Sequence, residues 1–108
     1  MSANWEDFVS NLKDGAGSLL RMELSDLITN AKGDSDAFIK RQGEKLELYL
    51  NQLANGQITK EQFQGYVCDI RDLTEMQALK MSVAGKASAQ RLVDGVIKLV
   101  INGLIAMV

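Results

Sequence analysis

Arg91–Val108 reads RLVDGVIKLVINGLIAMV. Set on a helix at 100° per residue, Arg91, Asp94, Gly95, Lys98 and Asn102 fall in a polar stripe roughly 100° wide, and nearly every other residue is aliphatic. A surface helix has the reverse proportions, so this one must be enclosed by the chain's other helices, by copies of itself, or by lipid. The uncharged run Leu99–Val108 is ten residues long. As a helix it covers about 15 Å against the ~30 Å of a hydrocarbon core, so it does not span a bilayer unaided.

Working outward, the 108 residues are 46% hydrophobic and contain no proline. Long helices can therefore run without a forced break, and one modest core is affordable at this size. A net charge of −2 excludes the basic face of a nucleic-acid binder. The charge is unevenly placed: Met1–Leu79 holds eight Lys/Arg against thirteen Asp/Glu, whereas Lys80–Val108 holds four against one. A basic, apolar C-terminal end on an acidic body suits either a membrane surface or an acidic partner. Histidine is absent and Cys68 is the one cysteine, which removes the commonest general base and any intrachain disulfide and suggests a reducing cytosol. Met1–Asp7 has neither a basic nor an apolar leader region, so no secretory signal is expected there.

Apolar positions at spacings of three and four predict an all-α fold in one domain, 1–108. Trp5, Phe8, Val9, Leu12 and then Leu20, Leu24, Leu27 and Ile28 mark a first helix over about 4–32, capped by Asn4 or Ser2 and weakened at Asp14–Ser18 by two glycines. Gly33 is a suitable left-handed stop. Asp34-Ser35-Asp36 caps a second helix, about 35–55, whose Ile39, Gly43, Leu46, Leu50 and Leu53 form a seam. Asn55-Gly56 ends it, and Thr59 with Gln62 forms a capping box for a third helix, about 59–84. Facing seams place Gly43 opposite Ile70. The last helix covers about 86–108; Gly85 either breaks it from the third or lies inside one continuous rod, and the alanine-rich Ala84–Ala89 favours continuity. The architecture expected is antiparallel helical hairpins forming a three- or four-helix bundle, with a long, very apolar C-terminal helix.

The turn pattern Leu50-x-x-Leu53-x-x-Gly56-x-Ile58-Thr59-x-Glu61-x-Phe63 resembles the helical hairpin of the short C-terminal (SHOCT) domains of bacterial proteins, a family associated with oligomerisation. The resemblance is confined to this one turn and is attributed to shared turn physics. The same stretch, aligned on a calcium-binding loop, puts Asn51, Leu53, Asn55 and Gln62 where ligands belong; with no carboxylate among them, calcium is excluded.

No catalytic, cofactor-binding or metal-ligating constellation is predicted. Asp69, Asp72 and Glu75 stand at i, i+3, i+6, but carboxylate metal sites in helical bundles pair such residues with histidine, and a solvated acidic face is the simpler reading. Cys68 beside Asp69 and Asp72 is disfavoured as a thiolate. The expected function is therefore that of a non-catalytic helical assembly module, a homo-oligomer or a protein docking to a partner, with Val93, Val96, Lys98, Val100, Leu104 and Met107 as its interaction surface. The alternative is a membrane-active protein whose amphipathic C-terminal helix binds or inserts into lipid, including as an oligomeric pore. No cofactor and no nucleic acid enter either reading, and the compartment expected is the cytoplasm, with membrane association in the second.

Overall fold

The computed structural model describes residues 4–12 and 17–108, and these are all-helical, with no strand among them. The elements are α1 (Trp5–Ser10), α2 (Gly17–Lys32), α3 (Ala37–Ala54), α4 (Lys60–Ala78) and α5 (Val83–Gly95). The last continues without interruption through a π-helical stretch, Val96–Leu104, into a final turn, α6 (Ile105–Met107). The radius of gyration is 13.5 Å, close to the ~13 Å of a compact globule of this length. What was read as one interrupted helix over 4–32 is two, α1 and α2; most of the weak stretch, residues 13–16, lies outside the described residues.

Local chemistry accounts for most helix ends. The Asn4 side chain accepts from the backbone N–H groups of Glu6 and Asp7, Asp36 does the same for Phe38 and Ile39, and the Thr59–Gln62 capping box is formed in both directions. Each satisfies donors that a helix start leaves without partners. Gly56 follows α3 with φ of 72°, a conformation that glycine adopts without a Cβ penalty. Gly33 does not take the left-handed form expected of it. Its N–H donates to Thr29 O and that of Asp34 to Ala31 O, so α2 tightens to its end with negative φ.

The chain turns between α4 and α5 at Leu79–Ser82, and the continuous helix through Gly85 is not formed. Leu79, Lys80 and Met81 each donate to the carbonyl three residues back, which winds the end of α4 tight. Ser82 then sits in extended backbone and accepts from Gly85 N–H at 3.2 Å, so Gly85 belongs to the first turn of α5. The reason for the turn is tertiary. An unbroken helix over residues 60–107 would be about 70 Å long, against a longest molecular extent of 42 Å, and would strip the C-terminal stripe of its cover.

That cover comes from α2 and α4, both of which pack on the π-helical stretch. Leu27 lies over Gly95 and Leu20 over Gly103, where an added Cβ would come within 2.5 Å and 3.4 Å of their methyl carbons. Lys60 Nζ donates to the Val108 carbonyl at 3.1 Å. The core joins Leu24 and Ile28 of α2, Ile39, Leu46 and Leu50 of α3, Phe63, Val67 and Ile70 of α4, and Ala89, Leu92, Val96, Val100 and Leu104 of the C-terminal helix. Trp5 and Val9 attach α1 to it, and the Trp5 N–H is taken by Asn51 Oδ1 at 3.1 Å.

Two details of packing depart from expectation or from economy. Gly43 faces α2 rather than Ile70: an added Cβ would lie 2.7 Å from Ala31 Cβ and 3.1 Å from Lys32 N. The missing side chain is thus what lets α2 and α3 approach. Gln42, beside it, is 1% exposed, and its Oε1 has no hydrogen-bond partner. The other buried polar side chain, Thr74, donates to Ile70 O at 2.6 Å.

Candidate functional site

The sequence-predicted interaction surface is largely interior. Val96, Val100 and Leu104 are wholly buried and Val93 nearly so, while Met107 is half-buried and Lys98 is exposed. Four of the six residues are thus buried against helices of their own chain in this fold. Their cover comes from α2 and α4 of the same chain. Among the described residues, no helix is long and apolar enough to cross a membrane.

Large apolar side chains are exposed elsewhere. Leu73, Met76 and Leu79 follow one another at i, i+3, i+6 to the end of α4, exposed by 45, 65 and 81%, and Val83 opens α5 at 87%. Leu19, Met22 and Leu48 are also exposed but lie on other helices. The α4–α5 corner thus carries a row of such side chains, whereas single exposed apolar residues need no explanation.

Near this corner lies a recess of mixed character, a cleft of about 340 Å³ between α2, the α2–α3 turn and α5. Leu27, Ala31, Ile39 and Leu92 give it an apolar floor; Asn30, Asp34, Ser88, Arg91 and Asp94 give it a polar rim. A shallower recess shares Asp34 and Ser88 and extends past Ser35 and Asp36 to Ser82, Ala84 and Gly85. The two together make one groove that ends at the α4–α5 turn.

Each polar group has a structural reason for its place. Asp34 Oδ1 accepts from the Asp36 N–H at 2.8 Å and closes the α2–α3 turn. This hydrogen bond, then one from Ser88, then the Arg91 charge hold its carboxyl below the ordinary 3.8. Arg91 Nη2 donates to Ser88 Oγ at 3.2 Å, and Asp94 Oδ1 accepts from Gln90 Nε2 at 2.8 Å. What the groove offers is fixed charge over an apolar floor, which is a means of binding.

A second recess, of about 310 Å³ between Trp5, Ile28 and Glu47, is already internally matched. Lys32 Nζ donates to Glu47 Oε1 at 2.8 Å, and that carboxylate raises the lysine's pKa. Asp69, Asp72 and Glu75 face solvent along α4, and Cys68 is half-buried. Tyr49 and Tyr66 stack at 4.9 Å across α3 and α4.

Sequence reading gives Asp34 as part of a capping run, Ser82 and Ser88 as possible helix caps, and Arg91 and Asp94 as a charge stripe that could also meet a neighbouring subunit or lipid headgroups. Their meeting depends on where α4 ends, since the turn at Leu79–Ser82 sets which part of α5 faces the α2–α3 corner. Ser82, a possible cap, is the one local sign of that turn, and the alanines after it outweigh it. The chain matches no protein-family model, no curated protein and no solved structure.

Proposed function

We propose that this chain is a non-catalytic assembly module, an antiparallel helical bundle that acts by docking to a protein partner. The observation that supports the reading is the exposed row Leu73, Met76, Leu79 and Val83 at the α4–α5 corner, directly beside the groove at Asp34 and Ser88. Apolar knobs next to a charged recess are the ingredients of a protein interface, with an apolar centre and a polar rim. The docking surface moves from the interior stripe at Val93–Met107 to the first turns of the same helix and the corner before it.

The test is site-specific photo-crosslinking in the source cells, with the reactive group placed at Leu79 or Val83 and, as a control, at exposed Gln64 on the outer face of α4. A discrete adduct from both corner positions, absent from Gln64, is the expected result. Its mass tells a second copy, near 24 kDa as twice the 11.9 kDa chain, from a different partner. Adducts no more discrete at the corner than at Gln64 would end the docking reading.

A further inference from the structure

Resting on that docking reading, we infer that the groove between the α2–α3 turn and α5 takes up a lysine or arginine side chain presented by the partner, its methylene stem on Leu27, Ala31 and Leu92 and its cationic head between Asp34 and Asp94. Three observations converge on a cation with an apolar stem. First, the charged residues lining the two joined recesses are Asp34, Asp36 and Asp94 against Arg91 alone. Second, neither Asp34 nor Asp94 has an ion-pair partner within 4.0 Å among the described residues, although Arg71, Lys32 and Arg21 each have one.

Third, Arg91, the one cation lining the groove among the described residues, acts on Asp34 through its charge but makes no ion pair with either carboxylate within 4.0 Å. Arg91 is bonded to Ser88 three residues back on its own helix, which leaves the carboxylates with unused lone pairs. Asp36 is spent on capping α3, so the reactive rim reduces to Asp34 and Asp94. Between them the floor is aliphatic, which suits the stem of a long basic side chain and not a bare metal ion. A metal would ask for converging oxygen ligands, and a cleft walled by leucine and alanine does not supply them.

An anionic or neutral guest fits less well. It would desolvate two carboxylates that only the Arg91 charge offsets, a cost that a guanidinium or ammonium head removes by donating hydrogen bonds to them. An arginine can engage both oxygens of one carboxylate at once, so it is the stronger guest of the two.

The experiment is a titration of the ¹⁵N-labelled full chain with n-butylguanidinium, n-pentylammonium and, as the oppositely charged control, pentanoate, followed by amide chemical shifts. The cations are expected to give saturable shifts at Asn30, Asp34, Ser88 and Asp94, the guanidinium binding more tightly. Asp34→Asn with Asp94→Asn is expected to weaken binding by well over about tenfold, since each of the two lost charge-assisted contacts is worth about a factor of ten. Asp94→Asn alone, which disturbs no turn, guards against misfolding and is expected to weaken it as well; Asp69→Asn on the far acidic face is expected to leave it unchanged. Pentanoate shifting the same amides as strongly, non-saturable shifts with the cations, or binding indifferent to Asp94→Asn in a folded variant would each overturn the inference. Saturable cation binding by the groove together with failed crosslinking at Leu79 and Val83 would reject the docking reading, and with it the partner as the source of the cation, while the groove's preference for a cation would stand.

Discussion

Replacing Gly43 by alanine tests the close approach of α2 to α3. In α3 the change alone should help, since alanine is favoured over glycine in a helix interior by about 0.8–1.0 kcal/mol. The new methyl carbon, however, lies 2.7 Å from Ala31 Cβ and 3.1 Å from Lys32 N, where carbon contacts prefer about 3.5–4.0 Å. Neither neighbour is the far end of a flexible chain, so α2 must move away from α3 by a sizeable fraction of an ångström. Overpacking of this kind costs about 1–3 kcal/mol. Gly65→Ala supplies the reference: it lies within α4, nothing is within 4 Å of its added Cβ, and it carries the propensity gain without the clash. In urea denaturation followed by helical circular dichroism, Gly65→Ala is expected to stabilise by about 1 kcal/mol and Gly43→Ala to fall about 1–3 kcal/mol below it. Ala31→Gly combined with Gly43→Ala should recover part of the gap, because the clash needs both methyl groups. Equal stability of Gly43→Ala and Gly65→Ala, with no coupling to Ala31, would refute the α2–α3 contact.

Three further outcomes follow from named groups. Gln42→Met keeps the side chain's length and removes a buried oxygen without a partner, and thermal unfolding should show a gain of about 1 kcal/mol; a loss would mean that the amide is satisfied. Thr59→Ala removes the hydroxyl that caps α4 and should cost about 1 kcal/mol in the same assay, with Thr59→Ser retaining most of it. Asp34 has a folded pKa below 3.8, so its contribution is complete above the unfolded value and is lost as pH falls through the folded one. The stability gap between wild type and Asp34→Asn should therefore be constant near neutrality and close in acid below about pH 4, as acid titrations of both proteins by circular dichroism would show; a gap that widens in acid would contradict the assigned hydrogen bonds.

Most of what was legible in the sequence was local. Asn4, Asp36, Thr59 with Gln62, and Gly56 act within four residues of themselves, and the structure uses each as the sequence suggests. The helical class was legible for a related reason, since the apolar spacing repeats over many turns. Gly43 showed that something came close to it but not what, because that is a question of which helix lies on which side. The turn at Leu79–Ser82 was outvoted locally by the alanines after it; it forms because it returns Ala89, Leu92 and Val96 to the core. The groove was the least legible of all. Asp34 and Ser88 are far apart in the chain, and each has an unremarked local role.

The π-helical stretch Val96–Leu104 has a consequence for how this chain can vary in length. There the Ile105 N–H donates to Val100 O, five residues back, instead of four. Such a stretch holds a residue that an α-helix would not need. A one-residue deletion usually rotates everything after it by about 100° and turns a buried face outward. Here, loss of exposed Asn102 could be absorbed by a change of hydrogen-bond register, leaving Leu104 and Ile105 facing inward. The C-terminal helix thus carries its own allowance for a missing residue, in the part of the chain where the core would otherwise tolerate it least.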